Sequence, residues 1–180
     1  MHPDNSIFEI PLTHILSIHY NTYTLSMKWR FDMKISVKAR YALAAMTSMA
    51  ANHANGEYIT VISISEKLGI SKIYLEQVFS LLRRSGLVHS TKGSQGGYQL
   101  ARMPQQITVY DVLSAVELSL FEKTEDTVSI KAPEIDKAMQ LSAFQILDHA
   151  VKDTLENIML SDLVSAVEKY KAGDEIMYYI

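Results

Sequence analysis

The chain has 180 residues, 48% of them hydrophobic, with a formal net charge of −3, which suits one folded core with an accessory element. It contains no cysteine, which excludes disulfides, a thiol nucleophile, and zinc or an iron–sulfur cluster held by thiolates. No apolar run reaches the ~18 residues of a membrane span, and the N-terminus lacks the cationic and apolar regions of a secretory signal, so a cytoplasmic protein is expected.

Residues 1–32 carry several His, Tyr and Thr and match no motif. Two readings stand: an upstream extension without a role, with Met27 or Met33 as alternative starts, or an arm that enters a minor groove or straps a dimer. Ser36–Ala54 predicts a helix, with Val37, Tyr41, Ala45 and Met49 on one stripe and Asn55-Gly56 ending it. Lys38 and Arg40 near its start read either as phosphate contacts or as solvated charges. Tyr58-Ile-Thr-Val61 predicts a short strand. A short helix carrying Ile64 and Leu68 follows, closed by a tight turn at Gly69.

Ser71 then predicts an N-cap, since its hydroxyl can accept from an otherwise unpaired helix N–H. Leu75, Val78, Phe79 and Leu82 fall at i, i+3, i+4 and i+7 and make one apolar face. At about 100° per residue, Ile73, Gln77, Ser80 and Arg84 lie opposite, with Glu76 at the edge. This outer face is either an ordinary solvated face or a reading head. Gln can bond adenine in two places and Glu can accept from the cytosine amino group, and a recognition helix presents such contacts from its N-terminal half.

Leu87–Lys92 and Tyr98–Ala101 flank Gly93-Ser-Gln-Gly-Gly97 and predict a hairpin with a glycine tip and one cation, Lys92. A nucleotide-binding loop is excluded, because no Gly-Lys-Ser/Thr follows and the next element is a strand. Helix, turn, helix and hairpin in this order make a winged helix-turn-helix.

Thr108 with Asp111 three residues on predicts a capping box, and Val109, Val112, Leu113 and Val116 face the core. Residues 119–132 are polar and irregular. Pro133 suits the first turn of a long helix reaching about Ile158, whose apolar stripe (Ile135, Met139, Ala143, Ile146, Ala150, Leu155) is wide enough to need a partner surface. Ser161 predicts the cap of a short last helix, Asp162–Lys171, ended by Gly173, and the tail closes in Ile-Met-Tyr-Tyr-Ile180.

Charge divides with the motifs. Residues 33–105 hold nine Lys or Arg against three Glu, a net of +6, and residues 106–180 hold six Lys against fourteen Asp or Glu, a net of −8. A basic half beside an acidic half fits a head that contacts phosphate and a body that avoids it. No Ser-His-Asp, Gly-x-Ser-x-Gly or paired-carboxylate constellation can be assembled, and the six scattered His show no metal-ligand spacing. The expectation is therefore a protein that is not an enzyme and carries no cofactor.

The segments Ile70-Ser-Lys-Ile-Tyr-Leu-Glu-Gln77, Leu82-Arg-Arg-Ser-Gly-Leu-Val88 and Lys92-Gly-Ser-Gln-Gly-Gly-Tyr98, with the start Met33-Lys-Ile-Ser-Val-Lys-Ala-Arg-Tyr-Ala42, resemble the Rrf-two family of bacterial transcription regulators. The tail and the missing cysteines resemble its cluster-free CymR subgroup of cysteine-metabolism repressors rather than the iron–sulfur regulators IscR and NsrR, whose ligand cysteines lie in the region of residues 119–132. The resemblance implies a mainly α fold with a small β-hairpin. A winged helix-turn-helix domain would span 33–105, and a long dimerisation helix with regulatory helices and tail would span 106–180. It implies a homodimeric repressor on a palindromic double-stranded DNA operator. By position, Ser71, Glu76, Gln77 and Lys92 would touch DNA, with Ile73, Tyr74 and Arg84 on the same helix and Gly93, Gly96 and Gly97 in the wing. The family carries Arg where this chain has Lys92, a point charge in place of a planar fork. The subgroup further implies cysteine synthase as a partner held by Tyr179 and Ile180. From another class, an interaction protein that regulates a metabolic enzyme through this tail also fits, as does a repressor that responds to another signal, and the tail side chains read equally well as packing on the chain's own body.

Overall fold

A computed structural model of the chain describes residues 35–53, 56, 58–93, 96–117 and 128–177, the last five by backbone. The expected extension 1–32, Asn55, most of the polar stretch and Tyr179 with Ile180 lie outside the described residues. The elements run α1 (Val37–Ala51), α2 (Val61–Leu68), α3 (Lys72–Arg84), β1 (Val88–Thr91), β2 (Gly97–Leu100), α4 (Val109–Val116), α5 (Pro133–Met139), α6 (Gln145–Glu156) and α7 (Leu160–Met177). The fold is thus mainly helical with one two-stranded antiparallel hairpin, as expected.

The core gathers where α1, α3 and α4 meet. Leu75, Val78, Phe79 and Leu82 of α3 are all fully buried against Ala42, Met46 and Met49 of α1 and Val112 and Leu113 of α4. The alanines of α1 let the neighbouring helices approach closely, and each buried Leu- or Phe-sized side chain contributes about 1.5–3 kcal/mol. Ile64 anchors α2 in the same cluster, and Gly69 turns the chain in the left-handed region at φ 64°. The capping box at α4 forms in full: the Thr108 hydroxyl accepts from the Asp111 N–H at 3.0 Å, and the Asp111 carboxylate accepts from the Thr108 N–H at 3.1 Å.

Local boundaries differ from the expectations in several places. Helix α1 ends at Ala51 rather than at Asn55-Gly56. Asn52 stops it, donating its side-chain amide to the Ser48 carbonyl at 2.8 Å. The expected strand over 58–61 shrinks to Ile59, which exchanges backbone hydrogen bonds with Tyr98 at 2.9 and 2.8 Å. The Thr60 hydroxyl accepts from the Ser63 N–H at 3.1 Å and so starts α2 at Val61. Ser71 occupies the N-cap position of α3, but its hydroxyl makes no capping bond. That turn is at the surface, where the first N–H groups face solvent.

The long helix from Pro133 breaks step at a π-helical segment, Gln140–Phe144, and ends at Glu156. The last helix starts earlier and runs further than expected. It begins at Leu160 because the strand-like pairing of Thr108 with Met159 holds the chain there, and the Asp162 carboxylate, not Ser161, accepts from the Met159 N–H at 2.9 Å. It passes through Gly173, whose cost of about 1 kcal/mol in a helix interior is carried by good helix formers such as Ala172 and Glu175.

Candidate nucleic-acid interface

Burying the Leu75–Leu82 face of α3 turns the opposite face outward. Ile73 is 71% exposed, and Glu76 and Gln77 beside it are exposed. Lys38 of α1 joins them: together with Ser80 and Leu81 these side chains line an open concavity of about 490 Å3. A cation, an amide, a carboxylate and a branched apolar group thus share one surface. The amide offers adjacent donor and acceptor atoms, the carboxylate accepts, and Ile73 presents a methyl-sized apolar contact. Those are the groups that match the major-groove edges of adenine, cytosine and thymine. The Lys72 ammonium stands 3.6 Å from the Glu76 carboxylate, one turn away on an exposed surface. A pair this exposed is worth well under 1 kcal/mol, so it leaves Glu76 free to change partner.

The hairpin packs against the same helix. Its register pairs Val88 with Leu100 and Thr91 with Gly97. Phe79 and Tyr98 stack across the junction with ring centroids 4.5 Å apart and a tilt of 30°, which fixes the hairpin against α3. Lys92 is exposed at the tip, and Gly93 beside it has φ 113°, a conformation side chains avoid. Gly96 and Gly97 have a reason of their own for lacking a side chain. A Cβ on Gly97 would meet the Ile59 carbonyl oxygen at 2.6 Å, and one on Gly96 would collide with the Thr91 carbonyl oxygen. Their spacing is needed to close the wing, whatever else they touch.

Four expected residues of the helices, Ser71 at the start of α3 and three others, stand apart from the concavity. Arg40 points to the other side of α1, two residues and therefore about 200° from Lys38, where it lines a cleft formed with α2 and α7. Tyr74 is half-buried, packed edge-on against Tyr41 at 5.3 Å and 83°, which gives it a packing role between α3 and α1. Arg84 is exposed at the far end of α3. Conversely, sequence reasoning passed over Arg83, which reaches from α3 to the hairpin and donates to the Ser90 hydroxyl at 3.3 Å. No spacing rule links residues 83 and 90, because the contact exists only once the hairpin folds back.

A second surface is defined by α5, the π segment and α6. Ile135, Ile146 and Leu147 are about three-fifths exposed (60%, 62% and 60%), and Leu141 and Phe144 lie between them. Only the end of this run, Leu155 and Ile158, packs onto the chain's own core. Among the described residues no helix is long and apolar enough to cross a membrane.

Residues 35–166 match the Rrf2 family, described as iron-dependent transcriptional regulators. The chain is 37% identical over 142 residues to the transcriptional regulator IscR of Cronobacter sakazakii, covering 79% of this chain and 86% of that protein. Its structure is similar to that of CymR, the global cysteine regulator of B. subtilis, with a TM-score of 0.57 and 34% identity over 74% of this chain and 98% of the other. It is also similar to T. potens IscR, with a TM-score of 0.56 and 33% identity over 77% of this chain and 91% of the other. No thiolate is present to hold the iron named in the family description. The chain has no cysteine, and the described residues contain no group of three or more His, Asp or Glu able to hold a metal.

Proposed function

The chain belongs to the Rrf2 family of winged-helix, DNA-binding transcription regulators, and from that premise we propose that it is a cytoplasmic, homodimeric repressor of sulfur and cysteine metabolism genes. In this reading residues 33–105 form the reading head. Gln77, Glu76 and Ile73 address base edges, and Ser71, Lys38, Arg84 and the wing residues Lys92 and Gly93 address phosphates. Residues 106–180 supply the dimer contact and the regulatory tail. Arg40 and Tyr74 are left out of the DNA-contact set because they face other elements.

The observation that carries the reading is the concavity over α3, where Lys38 from a different helix joins Ile73, Glu76 and Gln77 on the outward face. The charge division supports it, since the residues of the head are net positive and those of the body net negative. The likeness to CymR supports cysteine metabolism as the regulated process, and the absence of cysteine supports a regulator that works without a thiolate-held cluster.

Selection from a random duplex library with the purified full chain, followed by footprinting, tests it. The expected product is a palindrome with half-sites on the order of 34–36 Å apart, one helical turn. Recovery of unrelated sequences, bound with equal affinity, would overturn sequence-specific reading. Recovery of a single asymmetric site would overturn the symmetric dimer.

A further inference from the structure

On the side of α1 that carries Arg40, two cavities meet. The larger, about 590 Å3, runs between α1, α2 and α7 over a floor that includes Leu43, Ala44, Leu68, Leu163, Ala166 and Val167. The smaller, about 360 Å3, is polar, bounded by Asn52, Thr60 and Ser63. Ser48 and Lys67 line both, so Lys67 stands at the seam between an apolar space and a polar one.

Charge around this space is one-sided. Arg40, Lys67 and Lys171 line the larger cavity, and among the described residues no carboxylate lines either one. Lys171 is held by Glu168 at 2.8 Å. Among the described residues the ion pairs involve neither Arg40 nor Lys67. Lys67 lies in the last turn of α2, where the helix carbonyls favour a cation. An apolar chamber of this size is within the range of small-molecule sites, which are lined mostly by apolar groups with a few placed polar ones.

We propose that this cleft binds a small amphipathic monoanion, its apolar body of medium-chain acyl size between α1 and α7 and its carboxylate against Lys67 and Arg40. Apolar lining selects the body, since each buried CH2 contributes about 0.8 kcal/mol. The two cations select the head, since a charge-assisted bond is roughly twice as strong as a neutral one. The site goes beyond the DNA-binding reading and stands apart from it, because the cleft and the α3 concavity share no lining residue. Binding is therefore measured directly rather than through an operator.

Calorimetry of the full chain with decanoate tests the proposal. One decanoate per chain is expected, with decan-1-ol at least tenfold weaker. Lys67→Gln should weaken decanoate at least tenfold and leave decan-1-ol unchanged, and Ala166→Phe should fill the apolar chamber and remove both. Methyl resonances of the wild-type chain give a readout that depends on no variant: Leu43, Leu163 and Val167 should shift on addition of decanoate. No binding by 1 mM decanoate overturns the proposal, as does equal affinity of the Lys67→Gln variant. Shifts confined to Ile146 and Leu147 would place the ligand on the α6 surface instead. Dissociation of a dimer in step with binding would mean that a second copy of the chain, not a small anion, occupies the cleft.

Discussion

Phe79 of the recognition helix and Tyr98 of the wing stack at 4.5 Å between ring centroids, and this contact sets where the wing stands relative to the helix. Phe79 is fully buried, and Tyr98 is half-buried while its backbone holds Ile59. A double-mutant cycle on Phe79→Leu and Tyr98→Leu, read by urea unfolding, should give a coupling of about 0.5–1.5 kcal/mol beyond the single losses. DNA affinity should fall in the Tyr98→Leu variant although the ring faces the core. Strict additivity would mean that the two rings are neighbours without energetic consequence.

Gln77 and Lys92 should fail in different ways. Gln77→Ala is expected to weaken specific binding by about 1–3 kcal/mol and relax discrimination at one base position. Lys92→Ala should weaken all duplexes alike and lower the slope of log K against log salt by about 1 per protomer. Fluorescence anisotropy across a salt series separates the two. If both variants bind like wild type, the contact assignment on α3 and the wing is wrong.

The exposed run on α5 and α6 predicts the assembly state. Ile146→Asp combined with Leu147→Asp should convert a dimer to a monomer in sedimentation velocity while leaving the helical circular dichroism unchanged, because both residues are 60–62% exposed in the single chain. The variant should also lose at least tenfold in operator affinity, since each half-site would then bind alone. An intact dimer would place the interface elsewhere, with the α1–α7 side next in line.

The proposed likeness to the CymR subgroup predicts a protein partner held through Tyr179 and Ile180. Calorimetry should show the full chain binding cysteine synthase at micromolar affinity, about −8 kcal/mol, and a chain lacking these two residues failing to bind. Equal binding by both, or none by either, removes the tail mechanism and leaves the DNA-binding function untouched.

Much of this fold was legible in the sequence because its signals are local. The i, i+3, i+4, i+7 spacing of Leu75, Val78, Phe79 and Leu82 defines a buried face from periodicity alone, and burial of that face turns Ile73, Glu76 and Gln77 outward. The Thr108–Asp111 capping box spans only four residues, and both of its bonds form. Gly69 and Gly93 mark turns because few other residues adopt their backbone conformation.

What only the tertiary structure decided are relations between segments far apart in the chain. That Asn52 ends α1 and that Met159 precedes the last helix depend on competition among several plausible caps, and at Met159 the pairing with Thr108 resolves it. The reach of Arg83 to Ser90 and the close approach of Gly97 to Ile59 follow from how helices and hairpin dock. Periodicity states which face of a helix is apolar. It does not state which neighbour covers that face, because docking is set by the summed shape of many side chains rather than by the spacing of any few.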